Sequence, residues 1–180
     1  MKNFKRIILA AMLSFSLAGT YAINSPDQNL TVATQDQNSI MVDVYSSYFG
    51  IKDALVKSDG KTAAAKASEL TKAINALSMD KMKSEEHTVW MKVVSELKED
   101  AEQITGTNDA KNQRNYFVTL SKNMHEVMKA FPAGETIYYQ KCPMANGGKG
   151  ANWLSKDKAV KNPYYGSAML TCGSTVETLK

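Results

Sequence analysis

The stretch HTVWMKVVSELKEDAEQI, residues 87–104, decides the fold. Trp90, Val94, Leu97, Ala101 and Ile104 recur every three or four positions, the period of a helix with one apolar stripe. Charged and polar residues fill the remaining positions, so this stripe must be buried against other elements. Ser84 stands just ahead as an N-cap, and Glu85 and Glu86 place acids in the first turn, where the helix dipole favours them. TGTND (residues 105–109) closes the segment.

The same period recurs on both sides. Upstream, Val44, Tyr48, Ile51 and Leu55 mark a helix over about Ile40–Ser58, which SDGK (58–61) breaks. Ala63, Ala67, Leu70, Ile74 and Leu77 mark a second over about Thr62–Leu77, with alanines that let a neighbouring helix come close. Downstream, Phe117, Leu120, Met124, Val127 or Met128, and Phe131 mark a fourth over about Asp109–Phe131, stopped by FPAG. Four helices with short connectors predict an all-α, up-down four-helix bundle over 39–134. Residues 135–180 change in kind. They are rich in Gly, Tyr, Lys and Asn, show no long period and hold both cysteines. The expectation is a loop-rich C-terminal extension of the same domain packed on one end of the bundle. It contains an extended piece at Thr136–Tyr139 and one helical turn around Ser167–Leu170.

The N-terminus reads as an export signal. Lys2, Lys5 and Arg6 precede the apolar run Ile7–Leu17, and small residues lead to a cut after Ala22, with Ala18 or Gly19 as lesser sites. That run is shorter than a membrane span, and no cysteine near the cut offers a lipid anchor. The expected mature form is therefore periplasmic, without a membrane anchor, and begins with a flexible leader over 23–38. Removing those three bases from the formal charge of +4 leaves +1. The apparent basicity gives no reason to expect nucleic acid as a partner.

The extension carries the chemistry. Cys142 and Met144 flank Pro143, which restricts the backbone between them, while Met169 and Cys172 are one helical turn apart. Two thiolates and two thioethers form a soft donor set that favours Cu(I) or Ag(I) over calcium, magnesium or manganese. Asp157 and Glu177 are the acids between Gln140 and Lys180, whereas Lys141, Lys149, Lys156, Lys158, Lys161 and Lys180 supply positive charge. Zinc prefers four Cys or His ligands at CxxC-like spacing, which this chain lacks. The competing reading is a disulfide, the common fate of two cysteines in an exported chain. A Cys142–Cys172 bridge would close a loop of about 30 residues and contribute on the order of 3 kcal/mol. His87 continues the third helix's stripe toward its N-terminus and is a further candidate metal ligand, against a half-buried histidine bonded to backbone. His125, between Met124 and Met128, is expected on the rim of its helix. NGGKG (146–150) lacks the spacing of a phosphate loop, and no nucleophile–base–orienter set points to an enzyme.

Three blocks of the tail carry a resemblance. YYQKCPMA (138–145), GANWLS (150–155) and NPYYGSAMLTCG (162–173) resemble the pattern YxxxCPMA, GAxWLS, NPYxGxxMLxCG. That pattern marks an exported bacterial (Bacteroidetes) domain of unknown function. RNYFVTLS (114–121) is similar to the same family's R-x-x-F-x-x-LS segment, so the likeness spans about Ile40–Cys172. The family also occurs fused to periplasmic adaptors of Cus-type copper/silver efflux systems. The resemblance implies a metal-binding helical bundle linked to heavy metal efflux or buffering, with an efflux adaptor or metal-donor protein as partner. It implies Cys142, Met144, Met169 and Cys172 as the sulfur set, with His87 as a weaker addition. Trp153, Asn162, Pro163, Tyr164 and Gly166 would shape the loop. The alternative is a disulfide-stapled helical bundle that binds a protein and no metal.

Overall fold

The computed structural model describes residues 29–180; the segment read as a signal peptide lies outside the described residues. Four helices come first: α1 (Asn29–Val56), α2 (Gly60–Ala76), α3 (Ser84–Thr105) and α4 (Ala110–Ala130). Each packs on the next in the chain, and their stripes meet in one apolar core. Val44, Tyr48, Ile51, Leu55, Ala63, Ala67, Leu70, Leu97, Ala101, Ile104, Phe117, Leu120 and Met124 are all buried there. On α3, Val93 joins Trp90 in the core and Val94 packs half-buried at its edge.

Caps set the boundaries. Asp59 accepts from the Thr62 N–H at 3.0 Å and Asp109 from the Lys111 N–H at 2.9 Å, so two aspartates satisfy donors that a helix start leaves open. Ser84 is not the N-cap of α3. The helix begins with it, and the Glu86 carboxylate accepts from the Lys83 N–H at 2.8 Å instead. α1 starts at Asn29, well upstream of Ile40, so residues 29–38 of the expected leader are helical. Buried Gln113 fastens the connectors at one end, its side-chain amide donating to the carbonyls of Gly60, Ile104 and Thr107.

The C-terminal region corrects the all-α, loop-rich expectation. It holds a three-stranded antiparallel sheet of order β2-β1-β3, formed by β1 (Ile137–Cys142), β2 (Ala151–Ser155) and β3 (Ser174–Leu179). A 3₁₀ turn at Gly166–Met169 falls where one helical turn is expected. The sheet also does not sit on the end of the helices. β2 packs along α4 and touches α1. Tyr48, in the C-terminal half of α1, accepts from the Leu154 N–H at 3.0 Å and shares a hydrogen bond with Ser121 of α4 at 2.9 Å. Its ring stacks on Phe117. A buried phenol at the seam thereby ties sheet to helices, and burial is what pushes its ionisation well above the ordinary tyrosine value.

Further along the seam His125 is buried, not on a rim. It stacks on Tyr139 with ring centroids 3.8 Å apart, and its Nε2 lies 2.9 Å from the Glu177 carboxylate of β3. The imidazole thus holds β1 and β3 against α4. Among the described residues no helix is long and apolar enough to cross a membrane.

Candidate thiol site

Register brings the cysteines together. β1 and β3 are antiparallel with Lys141 opposite Ser174, so Cys142 and the Cys172–Gly173 pair lie at the same end of that ladder. Gly173 makes the approach possible. Its φ is +135°, and a Cβ there would sit 2.7 Å from the Lys141 carbonyl oxygen and 3.0 Å from the Trp153 ring, positions that only a residue without a side chain tolerates. The two sulfurs end 3.1 Å apart, both as free thiols.

Their surroundings differ. Cys142 is fully buried, whereas Cys172 is half-buried. Burial by itself pushes the Cys142 thiol up. The Cys172 thiol, the Met144 N–H, the Asn162 side chain and the Ala145 N–H all donate toward its sulfur, and together they hold it below the ordinary thiol range. Cys172, as the donor in that pair, is raised, first by this hydrogen bond and then by burial and the charge of its neighbour. The arrangement favours ionisation at Cys142 over ionisation at Cys172.

Pro143 starts the turn that supplies backbone donors to Cys142. Residues 143–150 fold back through bonds from the Gly148 and Gly150 N–H groups to the Ala145 carbonyl, at 3.2 and 3.0 Å. Asn162 is the hub. Fully buried, it donates from Nδ2 to the Cys172 carbonyl at 2.9 Å and accepts from the Tyr164 N–H at 2.8 Å, while its own N–H bonds the Leu170 carbonyl at 2.8 Å. Tyr164 packs on Phe117 and Trp153 and donates to the Asn152 carbonyl at 2.5 Å. Gly166, at φ +57°, lets the loop pass over α1, where a Cβ would lie 2.7 Å from the Ser58 hydroxyl. Arg114 completes the attachment. It donates from Nε to the Pro163 carbonyl at 2.7 Å, and from Nη2 to the Leu55 carbonyl at 2.9 Å and the Ser58 hydroxyl at 2.7 Å.

The thioethers and His87 are placed differently from the thiols. Met144 is 54% exposed beside Cys142, and the Tyr165 hydroxyl donates to its carbonyl at 2.8 Å. Met169 is half-buried, with its carbonyl accepting from the Cys172 N–H at 3.1 Å. His87 is exposed in the first turn of α3. Asn123 bonds Glu96 across α3 and α4, which sets His87 level with the far end of α4. The 143–150 turn instead borders the Lys111–Val118 end of α4. The structure therefore joins the two thiols and leaves His87 away from them. Among the described residues no three of His, Cys, Asp and Glu converge in a way that would hold a metal.

Sequence reasoning missed two participants. Arg114 stands in the RNYF segment, but nothing local tells that it reaches the loop at Pro163. Two of the donors around Cys142 are the backbone N–H groups of Met144 and Ala145, and these leave no side-chain signature.

A search of curated proteins and a search of solved structures gave no match. A family model described as "Protein of unknown function (DUF3347)" matches residues 44–136, just over half of the chain; the match takes in most of the four-helix segment and ends before Cys142. The chain belongs to this family of unknown function, DUF3347.

Proposed function

We propose that this chain is an exported, periplasmic soft-metal binding protein that takes Cu(I) or Ag(I) as cargo and serves heavy metal efflux or buffering. The observation that carries the reading is the pair of free thiols 3.1 Å apart, with Cys142 buried and Cys172 half-buried. Soft thiolates select monovalent copper and silver, and among the described residues no cluster of three or more His, Cys, Asp or Glu competes with them. Opening the sulfur pair slightly would admit a two-coordinate ion. Met144, exposed at the rim, and Met169, one turn from Cys172, would engage it first, and the thiolates would hold it. His87 lies outside this set. The signal peptide, an up-down order of the helices, and an efflux adaptor or metal-donor protein as partner belong to the same reading. The activity is binding and transfer, not catalysis.

The reduced protein is expected to compete with a chromophoric Cu(I) chelator of known affinity at one ion per chain. Cys142→Ser should lose that competition and Met144→Leu should weaken it. No competition by reduced, folded protein would remove the proposal. The same 3.1 Å separation favours a second reading, in which a Cys142–Cys172 disulfide staples the sheet and the surface binds a protein without metal. Thiol counting on protein taken directly from the periplasm separates the two, because a staple leaves no free thiol.

A further inference from the structure

The two sulfurs are unequal in a way that metal binding does not require. Cys142 is fully enclosed, while Cys172 is half-buried and flanked by exposed Thr171 and Leu170. A reagent therefore meets Cys172 first. Behind it, at 3.1 Å, lies the enclosed Cys142 sulfur. We propose that the pair is a thiol–disulfide exchange site in which Cys172 engages a small-molecule disulfide and Cys142 resolves the adduct. The inference goes beyond the soft-metal reading and holds whether or not a metal ever binds.

With a disulfide RSSR, the two protein thiols are oxidised and both RS groups are released. Cys172 Sγ attacks one sulfur of RSSR while its proton passes to Cys142. The R–S–S–R bond breaks, a Cys172–S–S–R bond forms, and RS⁻ leaves. That thiolate takes the proton from Cys142, becoming RSH. The Cys142 thiolate then attacks Cys172 Sγ, forming the internal disulfide and expelling the second RS⁻. Two electrons have moved from the protein's thiols to RSSR. In reverse, an external thiolate attacks the accessible Cys172 sulfur and Cys142 departs. Gly173 matters because a residue without a side chain lets the chain run close to the Lys141 carbonyl, which leaves the two sulfurs 3.1 Å apart.

The test uses the reduced full chain with glutathione disulfide and a chelator present, quenched in acid and mapped by mass spectrometry. Wild type is expected to go to the Cys142–Cys172 disulfide with no lasting adduct. Cys142→Ser should accumulate a glutathione adduct on Cys172. Cys172→Ser should be modified at Cys142 at least about tenfold more slowly, because an enclosed sulfur is inaccessible to the reagent. Equal rates in the two variants, or a wild type that stops at the adduct, would overturn the proposal. Circular dichroism checks that each variant is folded. If one is not, limiting iodoacetamide on the reduced wild type decides: alkylation at Cys172 first supports the scheme, and equal or Cys142-first labelling refutes it. A chain that follows this scheme yet ignores Cu(I) removes only the metal reading.

Discussion

Leu97 and Asn162 are both fully buried, and what surrounds them separates the two regions of this molecule. Leu97 lies in a seam of aliphatic and aromatic side chains shared by the helices. Its neighbours do similar work, so losing one leaves a cavity but not a different structure. Asn162 stands in the C-terminal region at the meeting of three hydrogen bonds, beside the Cys142 sulfur. No neighbour can replace it. The helices hold their shape by many interchangeable contacts, and the thiol site holds its shape by a few that are not. A change in the first region should therefore be felt everywhere, and a change in the second should be felt mainly at the sulfurs.

Substitutions can break that contrast. Leu97→Ala is expected to lower global stability by about 3–4 kcal/mol, with helical and near-ultraviolet signals lost in one transition, as urea unfolding would show. Gly173→Ala should cost about 2–3 kcal/mol, because the new Cβ meets the Lys141 carbonyl in a backbone conformation that alanine disfavours. Its signature should be local: helical signal retained, and the internal disulfide formed more slowly. Asn162→Ala should cost about 2 kcal/mol by leaving buried partners unsatisfied, and should move the ionisation of Cys142, followed by thiolate absorbance, to higher pH. A Gly173 or Asn162 variant that melts the helices as fully as Leu97→Ala would show that the regions are one cooperative unit.

The smallest expected effect concerns a polar flaw in the helical region. Asp100 of α3 is buried with Oδ2 unpartnered. Burial, then the charges of Glu96 and Glu99, push its carboxyl up to about 7. A group raised in the folded state binds its proton more tightly there than in the unfolded chain. Its contribution is present below the ordinary carboxylate range and is lost as pH rises toward 7. Asp100→Asn should therefore be more stable than wild type at pH 8, by on the order of 1 kcal/mol. Thermal melts of the two proteins from pH 5 to pH 8 should diverge upward; a constant gap would mean that Asp100 does not titrate in this range.

The contrast also explains what was legible in the sequence. Helical stripes are written as a period, and Val44 to Leu55 or Phe117 to Met124 announce their buried face without any tertiary information. The sheet is not written that way. β1 buries Ile137, Gln140 and Cys142 and breaks its register between Tyr139 and Gln140, so no simple alternation marks it. A fully buried glutamine, donating to the carbonyls of Asp157 and Lys158, is a polar residue where a pattern expects an apolar one. β3 is a largely exposed edge strand held by β1, and Glu177 on it meets His125 across a separation that no local pattern encodes. Composition was enough to pair Cys142 with Cys172. The length of the stripe was enough to nominate His87, but the stripe does not say which end of α3 faces the cysteines.

The central claim is that the two cysteines form the metal-holding core of an exported soft-metal protein. X-ray absorption at the copper edge, on reduced full chain loaded with one equivalent of Cu(I), tests it most directly. The account predicts a first shell of sulfur alone, lost when both cysteines are replaced by serine while the helices stay folded. A shell of nitrogen and oxygen, or copper retained unchanged by the doubly substituted protein, would contradict it.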